Sequence, residues 1–250
     1  MSAVYPGMIP SELAELCREV QYITVLTGAG ISQESGLRTF RDAQDGLWAQ
    51  YKPEDMATRE AFLRNPKLVW DWYKMRRERG HSVQPNPGHY ALAEMQKRLP
   101  GFTLITQNVD GLHQKAGSTE VVELHGNIQR VKCFTCGQQA KEWEDQRVEV
   151  PLCATCGGFL RPDVVWFGEQ LSQTMLNRAI QAARNCDAFF SIGTSGLVQP
   201  AASLAFSAKR QGATIIEINP EDTPLTPKAD FSLKGKAGEL LPQLIKAIWR

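Results

Sequence analysis

The sequence predicts an α/β protein: a doubly wound parallel sheet with helices on both faces, carrying a second and smaller lobe. Three observations lead there. Short apolar runs at residues 22–27, 102–106, 187–193 and 214–219 read as buried strands. Stretches with helical periodicity at 11–20, 88–99, 172–185, 200–210 and 237–249 separate or follow them. Two regions then break the alternation, residues 39–87 and 133–156, and read as insertions that build the smaller lobe.

The strand at 22–27 (YITVLT) runs directly into Gly28-Ala29-Gly30-Ile31-Ser32. A strand followed by Gly-x-Gly is how a dinucleotide-binding turn begins, because glycines let backbone N–H groups approach a pyrophosphate. The third glycine of that fingerprint is replaced by Gln33, and Gly36 follows three residues later, so the turn alone fits a plain strand-to-loop reversal as well. The first insertion holds three of the six tryptophans, Trp48, Trp70 and Trp72. In it, Asn65-Pro66 is an N-cap followed by a first-turn proline, which predicts a helix over 66–79.

Four of the six cysteines form two pairs, Cys133-x-x-Cys136 and Cys153-x-x-Cys156, with sixteen residues between them. That is the spacing of a four-thiolate zinc ribbon, and Gly137 and Gly157 suit its two tight turns. Four thiolates close the coordination sphere, so the metal is expected to be structural; a redox dithiol pair is the alternative. Cys17 and Cys186 read as core residues. Gln107-Asn108-Val109-Asp110 follows the strand at 102–106, where polar residues face the ligand crevice of such a sheet, or else cap the next helix. His125, in Glu123-Leu124-His125-Gly126-Asn127, stands at a strand end as either a general base or a structural histidine.

Composition narrows the partners. The chain has 250 residues, and a formal net charge of +1 gives no global basic field for nucleic acid or an anionic membrane. No apolar run reaches the roughly 20 residues of a membrane helix. Residues 1–7 lack the charged and apolar pattern of a secretory signal, so a cytoplasmic protein is expected. A ribbon that binds nucleic acid would need a basic stripe, whereas Glu142, Glu144, Asp145 and Glu149 offset Lys132, Lys141 and Arg147.

Taken together and in order, these motifs resemble the sirtuin family over about residues 23–240: GAGIS with ESG and TFR (28–41), QNVDGLH (107–113), ELHG (123–126), the two CxxC pairs, GTS (193–195) and INPE (218–221). The resemblance implies a Rossmann-like large domain made of 1–38, 101–127 and 161–250. It also implies a small domain made of a helical insertion (39–100) and a zinc-ribbon module (128–160). NAD and one structural Zn2+ are the implied cofactors. Gly28, Ala29, Gly30, Ile31, Phe40, Arg41 and Trp48 match the NAD loop. Gln107, Asn108, Val109 and Asp110 match the nicotinamide and ribose contacts. Gly193, Thr194, Ser195, Asn219, Pro220, Glu221 and Ala237 match the adenosine end. His125 and Asn108 match the catalytic pair, and Val165, Trp166, Phe167 and Gly168 match the strip that takes the substrate backbone as an added strand.

The implied reaction removes an acyl group from a protein lysine. The acyl oxygen attacks the ribose carbon as nicotinamide leaves, His125 takes a proton from a ribose hydroxyl, and lysine and O-acyl-ADP-ribose are released. Tyr73 and Arg76 are three residues apart on the helix expected over 66–79 and share a face. In the subclass that removes succinyl and malonyl groups, such a Tyr-x-x-Arg pair reads the acyl carboxylate, and Thr39 agrees with that subclass. The alternative is a solvated basic face with Lys74, Arg77 and Arg79. A small acetyl group can also enter a pocket built for a succinyl, malonyl or glutaryl group, so acetyl-lysine is expected among the substrates. Protein ADP-ribosyl transfer in the same cleft is the second activity to consider; an NAD-dependent dehydrogenase fits poorly with the incomplete glycine fingerprint. The expected partners are acylated proteins, with no nucleic acid and no membrane, and a monomer is compatible with the site.

Overall fold

The computed structural model describes residues 3–37, 52–143 and 149–249. In chain order the elements are β1 (Ala3–Pro6), α1 (Ser11–Glu19), β2 (Tyr22–Thr27), α2 (Gly30–Gln33), α3 (Pro53–Met56), α4 (Arg59–Arg64), α5 (Pro66–Ser82), α6 (Pro87–Arg98), β3 (Gly101–Thr106) and α7 (Leu112–Lys115). They continue with β4 (Val122–Glu123), β5 (Gly126–Cys133), β6 (Gln139–Ala140), β7 (Leu160–Val164), α8 (Gln173–Asn185), β8 (Ala188–Ile192), α9 (Ser203–Arg210), β9 (Thr214–Ile218), β10 (Phe231–Lys234) and α10 (Ala237–Ile248).

Seven strands form one sheet in the order β1-β10-β9-β8-β2-β3-β4, and all of its pairings are parallel. A parallel sheet is buried on both faces, and strand parity shows it. Ile23, Val25, Phe190, Ile192, Ile216 and Ile218 point into a core formed with α1, α6 and α10. Leu26, Phe189 and Ile215 point into a second core with α8 and α9. Both lone cysteines are core residues as expected: burial pushes Cys17 up to about 12 and Cys186 up to about 11. Strands β1 and β10 escaped the sequence reading because each has only four residues and no long apolar run.

The smaller lobe is an antiparallel sheet, β6-β5-β7, packed with α3, α4 and α5. Its core holds Phe62, Val69, Trp70, Trp72, Tyr73 and Trp166, with Cys133 and Cys153 at one end. Helix α5 begins as expected: Asn65 Oδ1 accepts the Leu68 N–H at 3.1 Å and Pro66 fills the first turn. It continues three residues past the expected end, to Ser82. Helix α6, grouped with the helical insertion on sequence grounds, instead packs its Ala91, Leu92 and Met95 into the first core of the large sheet. Its apolar face matches that core, so residues 87–98 belong with the large sheet. Among the described residues no helix is long and apolar enough to cross a membrane.

Phe190 is fully buried at the centre of the sheet. Phe190→Ala is expected to lower stability by about 3–5 kcal/mol, read as a fall in urea midpoint at unchanged slope. The exposed Leu63→Ala should stay within about 0.5 kcal/mol of the parent.

Candidate active site and metal centre

From β2 the chain proceeds outward through β3 to β4, then returns to β8 on the other side of β2. The loops leaving β2 and β8 therefore diverge at their carboxyl ends and open a crevice. The first loop lies directly on the other. Gly28 N–H donates to the Ile192 carbonyl (3.0 Å) and Gly30 N–H to the Gly193 carbonyl (2.8 Å). A Cβ on Gly30 would stand 2.8 Å from Gly193 Cα and O, and one on Gly28 would stand 2.7 Å from Thr194 Cβ. Gly193 itself sits at φ +58°. Backbone therefore meets backbone, leaving no room for side chains.

A polar network spans this crevice. Asn108 Nδ2 donates to the Gly28 carbonyl (3.0 Å) and to Ser32 Oγ (3.2 Å). Ser32 Oγ in turn donates to Asp110 Oδ2 at 2.8 Å. Asp110 Oδ1 accepts the Leu112 N–H at 2.9 Å, so this residue both holds the chain entering α7 and faces the loop after β2. Burial pushes the Asp110 carboxyl above the usual range, partly countered by the Leu112 and Ser32 bonds. Gln107 Nε2 donates to Thr194 Oγ1 (2.9 Å), and Asn219 Nδ2 donates to the Thr194 carbonyl (2.9 Å). The ends of β2, β3, β8 and β9 are thereby tied together.

His125 follows β4. Its Nδ1 lies 2.9 Å from the Gln107 carbonyl, and a carbonyl only accepts, so Nδ1 carries the proton and Nε2 is the basic nitrogen. Burial holds its pKa below the usual value, with the Gln107 carbonyl pulling the other way. Gly126 permits the turn: at φ +81°, a Cβ there would lie 2.1 Å from the Asp163 carbonyl. Glu123 braces the same turn, accepting from Asn127 Nδ2 (2.6 Å) and Gln114 Nε2 (2.7 Å) and pairing with Arg130 (2.7 Å).

The remaining expected residues are spread around this centre. Ala29 and Ser195 are half-buried, and Ile31 lies in the core beneath the loop. Val109 is half-buried, with its carbonyl accepting the Ile128 N–H. Pro220 and Glu221 are exposed beyond β9. Ala237 opens α10 and is buried; the next residue, Gly238, donates its N–H to Glu34 Oε1 at 2.8 Å. Thr39, Phe40, Arg41 and Trp48 lie outside the described residues.

Tyr73 and Arg76 share a face of α5 that is turned inward. Tyr73 is buried, and the Arg76 guanidinium lies 4.8 Å from the Trp72 ring centre. Burial pushes the Tyr73 hydroxyl up to about 12, so it keeps its proton. The strip 165–168 runs beside them. The Val165 N–H donates to the His125 carbonyl (2.8 Å), that of Phe167 to the Ala57 carbonyl (2.9 Å), and that of Trp166 to Glu169 Oε2 (3.0 Å). These three N–H groups are spent within the protein. Phe167 keeps its ring exposed, and the space around Gly168 is open.

The four paired cysteines converge at the far end of the small lobe, with all Sγ atoms within 4.8 Å of one another. Two separations are 3.5 Å (Cys133 to Cys156) and 3.9 Å (Cys136 to Cys153). A tetrahedron with Zn–S bonds of about 2.3 Å has edges of about 3.8 Å, so the set fits one zinc ion. Gly137 (φ +73°) and Gly157 (φ +71°) return their N–H groups to the Cys133 and Cys153 carbonyls, giving two matching knuckles. The Cys156 and Thr155 amides hold Cys153 down to about 6, favouring the thiolate.

Several site residues had no clear signal in the sequence. Ser32 stood inside a noted motif, but its bridge between Asn108 and Asp110 is a long-range fact. Asn86 repeats the Asn-Pro signature of residue 65 and caps α6, yet its Nδ2 also reaches the Ile31 carbonyl at 2.6 Å. The buried Arg161 pairs with the half-buried Glu169 beneath the strip.

A model of the Sir2 family matches residues 28–200. An NAD-dependent protein deacylase of Aquifex aeolicus is 55% identical over 216 residues, spanning 86% of this chain and 90% of its own. A crystal structure of a Sir2 homologue in complex with NAD superposes with a TM-score of 0.92 at 44% identity, covering 98% and 95% of the two chains. A Sir2 protein bound to a myristoylated histone peptide matches with a TM-score of 0.75 at 36% identity, covering 95% of each.

Two outcomes follow from this geometry. Stripping metal with a strong chelator is expected to release one zinc per chain by elemental analysis and to lower the thermal transition, since the small-lobe core ends on two of the ligands. The second concerns His89 and His113, both buried with ring centres 4.9 Å apart. Burial pushes them down to about 4 and about 3, respectively. Unfolded histidines bind protons near pH 6.5, so stability should fall as pH drops below that value towards 4. Urea titrations across that window should show a shallower decline for His113→Gln.

Proposed function

The chain belongs to the Sir2 family and is an NAD-dependent protein deacylase, and we propose that it removes succinyl and malonyl as well as acetyl groups from protein lysines. The observation that carries the acyl preference is the inward pair on α5, a protonated buried Tyr73 beside Arg76. A guanidinium and a phenol that keep their charge and proton suit a carboxylate at the end of the acyl chain.

The crevice residues fit NAD. The Gly28-Ala29-Gly30 turn carries only one methyl group, and Asn108, Ser32 and Asp110 present polar atoms beside it. Bound NAD supplies a ribose carbon whose nicotinamide leaves readily because its ring nitrogen is already cationic. Gln107, Asn108 and Asp110 hold the nicotinamide and ribose; Gly193, Thr194, Ser195, Asn219, Pro220, Glu221 and Ala237 hold the adenosine end. His125 Nε2 takes a proton from a ribose hydroxyl, in the tautomer set by the Gln107 carbonyl. The strip 165–168 brings the peptide to His125 through the Val165 N–H, and the peptide then pairs with the groups of the strip that remain available.

The direct test follows matched succinyl-lysine and acetyl-lysine peptides by mass spectrometry, with and without NAD. The expected result is NAD-dependent loss of both, faster for succinyl, abolished in His125→Ala. Its acid limb should lie below pH 6.5, because burial favours the neutral imidazole. Faster loss of acetyl would remove the role given to Tyr73 and Arg76. Labelling of protein by ADP-ribose without free lysine would replace deacylation itself.

A further inference from the structure

Tyr73 does not stand alone in the small-lobe core. Its hydroxyl accepts the Trp166 indole N–H at 3.0 Å, with both side chains buried. A phenol that accepts on one side has its own proton left to point elsewhere. Which way it points depends on how firmly the indole is held, and Trp166 is held on three sides. The Arg161 guanidinium lies 3.2 Å from its ring centre. The Phe62 ring packs at 5.3 Å and the Tyr73 ring stacks at 6.3 Å. Its backbone N–H donates to Glu169 Oε2, and both guanidinium ends of Arg161 bond that same carboxylate, at 2.5 and 3.0 Å. Arg161 Nη2 also donates to the Val164 carbonyl at 2.7 Å, fixing the strand that leads into the strip.

We infer that Trp166 is a positioning residue for acyl selectivity: its indole N–H holds the Tyr73 hydroxyl as a donor towards the carboxylate of a dicarboxylic acyl-lysine. This rests on the acyl-carboxylate reading of Tyr73 and Arg76. It adds that the selectivity device extends beyond those two residues, through Trp166 to the Arg161–Glu169 clamp. The same clamp sets the strip, so the acyl end and the peptide end of the substrate share one rigid support. When Tyr73 donates to a carboxylate, its oxygen becomes a better acceptor, and the Trp166 bond should strengthen with it.

Trp166→Phe keeps an aromatic ring over Arg161 and removes the indole N–H. The readout is the ratio of kcat/KM for succinyl-lysine to that for acetyl-lysine peptide, in which the folded fraction cancels. Trp166→Phe is expected to lower this ratio about tenfold through KM for the succinyl peptide. Tyr73→Phe should lower it at least as much, and the double variant no further than Tyr73→Phe alone. An unchanged ratio in Trp166→Phe with a lowered one in Tyr73→Phe would overturn the positioning role and leave the acyl-carboxylate reading standing. Ratios unchanged in both would remove that reading and the inference with it. A second measurement needs no variant: the Trp166 indole N–H resonance of the unsubstituted protein, titrated with each peptide in the absence of NAD. It should move further downfield with succinyl-lysine; equal shifts with the two peptides would contradict the inference.

Discussion

The site depends on one contact between main chains. Where β2 and β8 end side by side, the loop at 28–30 lies against Gly193 and Thr194 so closely that a single methyl group would collide with backbone. Parallel neighbours put two loops at the same edge of the sheet, and the reversal of strand order there sends them apart. Glycine at three positions lets the loops touch at their roots before they diverge. From that contact the polar groups take their places. Asn108 is anchored on the Gly28 carbonyl, Gln107 and Asn219 on Thr194, and His125 on the Gln107 carbonyl. Each bond passes the position set by the glycines one residue further outward.

The small lobe is held by a different device. Its sheet is short and its core is aromatic, closed by the four-thiolate knuckles and backed by the Arg161–Glu169 pair under Trp166. An ion pair with one partner buried is weak evidence for stability, because desolvating the charges offsets much of their attraction. Its better-supported effect is orientation: two parallel bonds between guanidinium and carboxylate allow one geometry. The strip 165–168 inherits that geometry and joins the lobes, since Val165 bonds to His125 and Phe167 to Ala57.

What the sequence disclosed followed from locality. The strands at 22–27 and 214–219 and the start of α5 at Asn65-Pro66 appear within a residue or so of expectation, because periodicity and capping act over a few neighbours. The four cysteines converge as their spacing required. Short strands were hidden: four residues at 231–234 cannot show a period. Helix α6 looked like part of the insertion because it follows it in sequence, and only packing assigns it to the large sheet. The roles of Ser32, Asn86 and Arg161 come from partners 78, 55 and 8 residues away, which no local pattern reports. The family resemblance implied a set of site residues, but not the bonds that occupy the N–H groups of Val165, Trp166 and Phe167.

The backbone contact at the sheet edge can be tested without reference to any acyl group. NAD binding to Gly30→Ala, measured calorimetrically beside the parent protein, is the most direct measurement, with thermal unfolding recorded on the same samples. A Cβ 2.8 Å from Gly193 must push the loops apart, so NAD affinity should fall about tenfold or more while the zinc content stays at one per chain. Parent-like affinity in Gly30→Ala would contradict the account, because the crevice would then not depend on the close approach of its two loops.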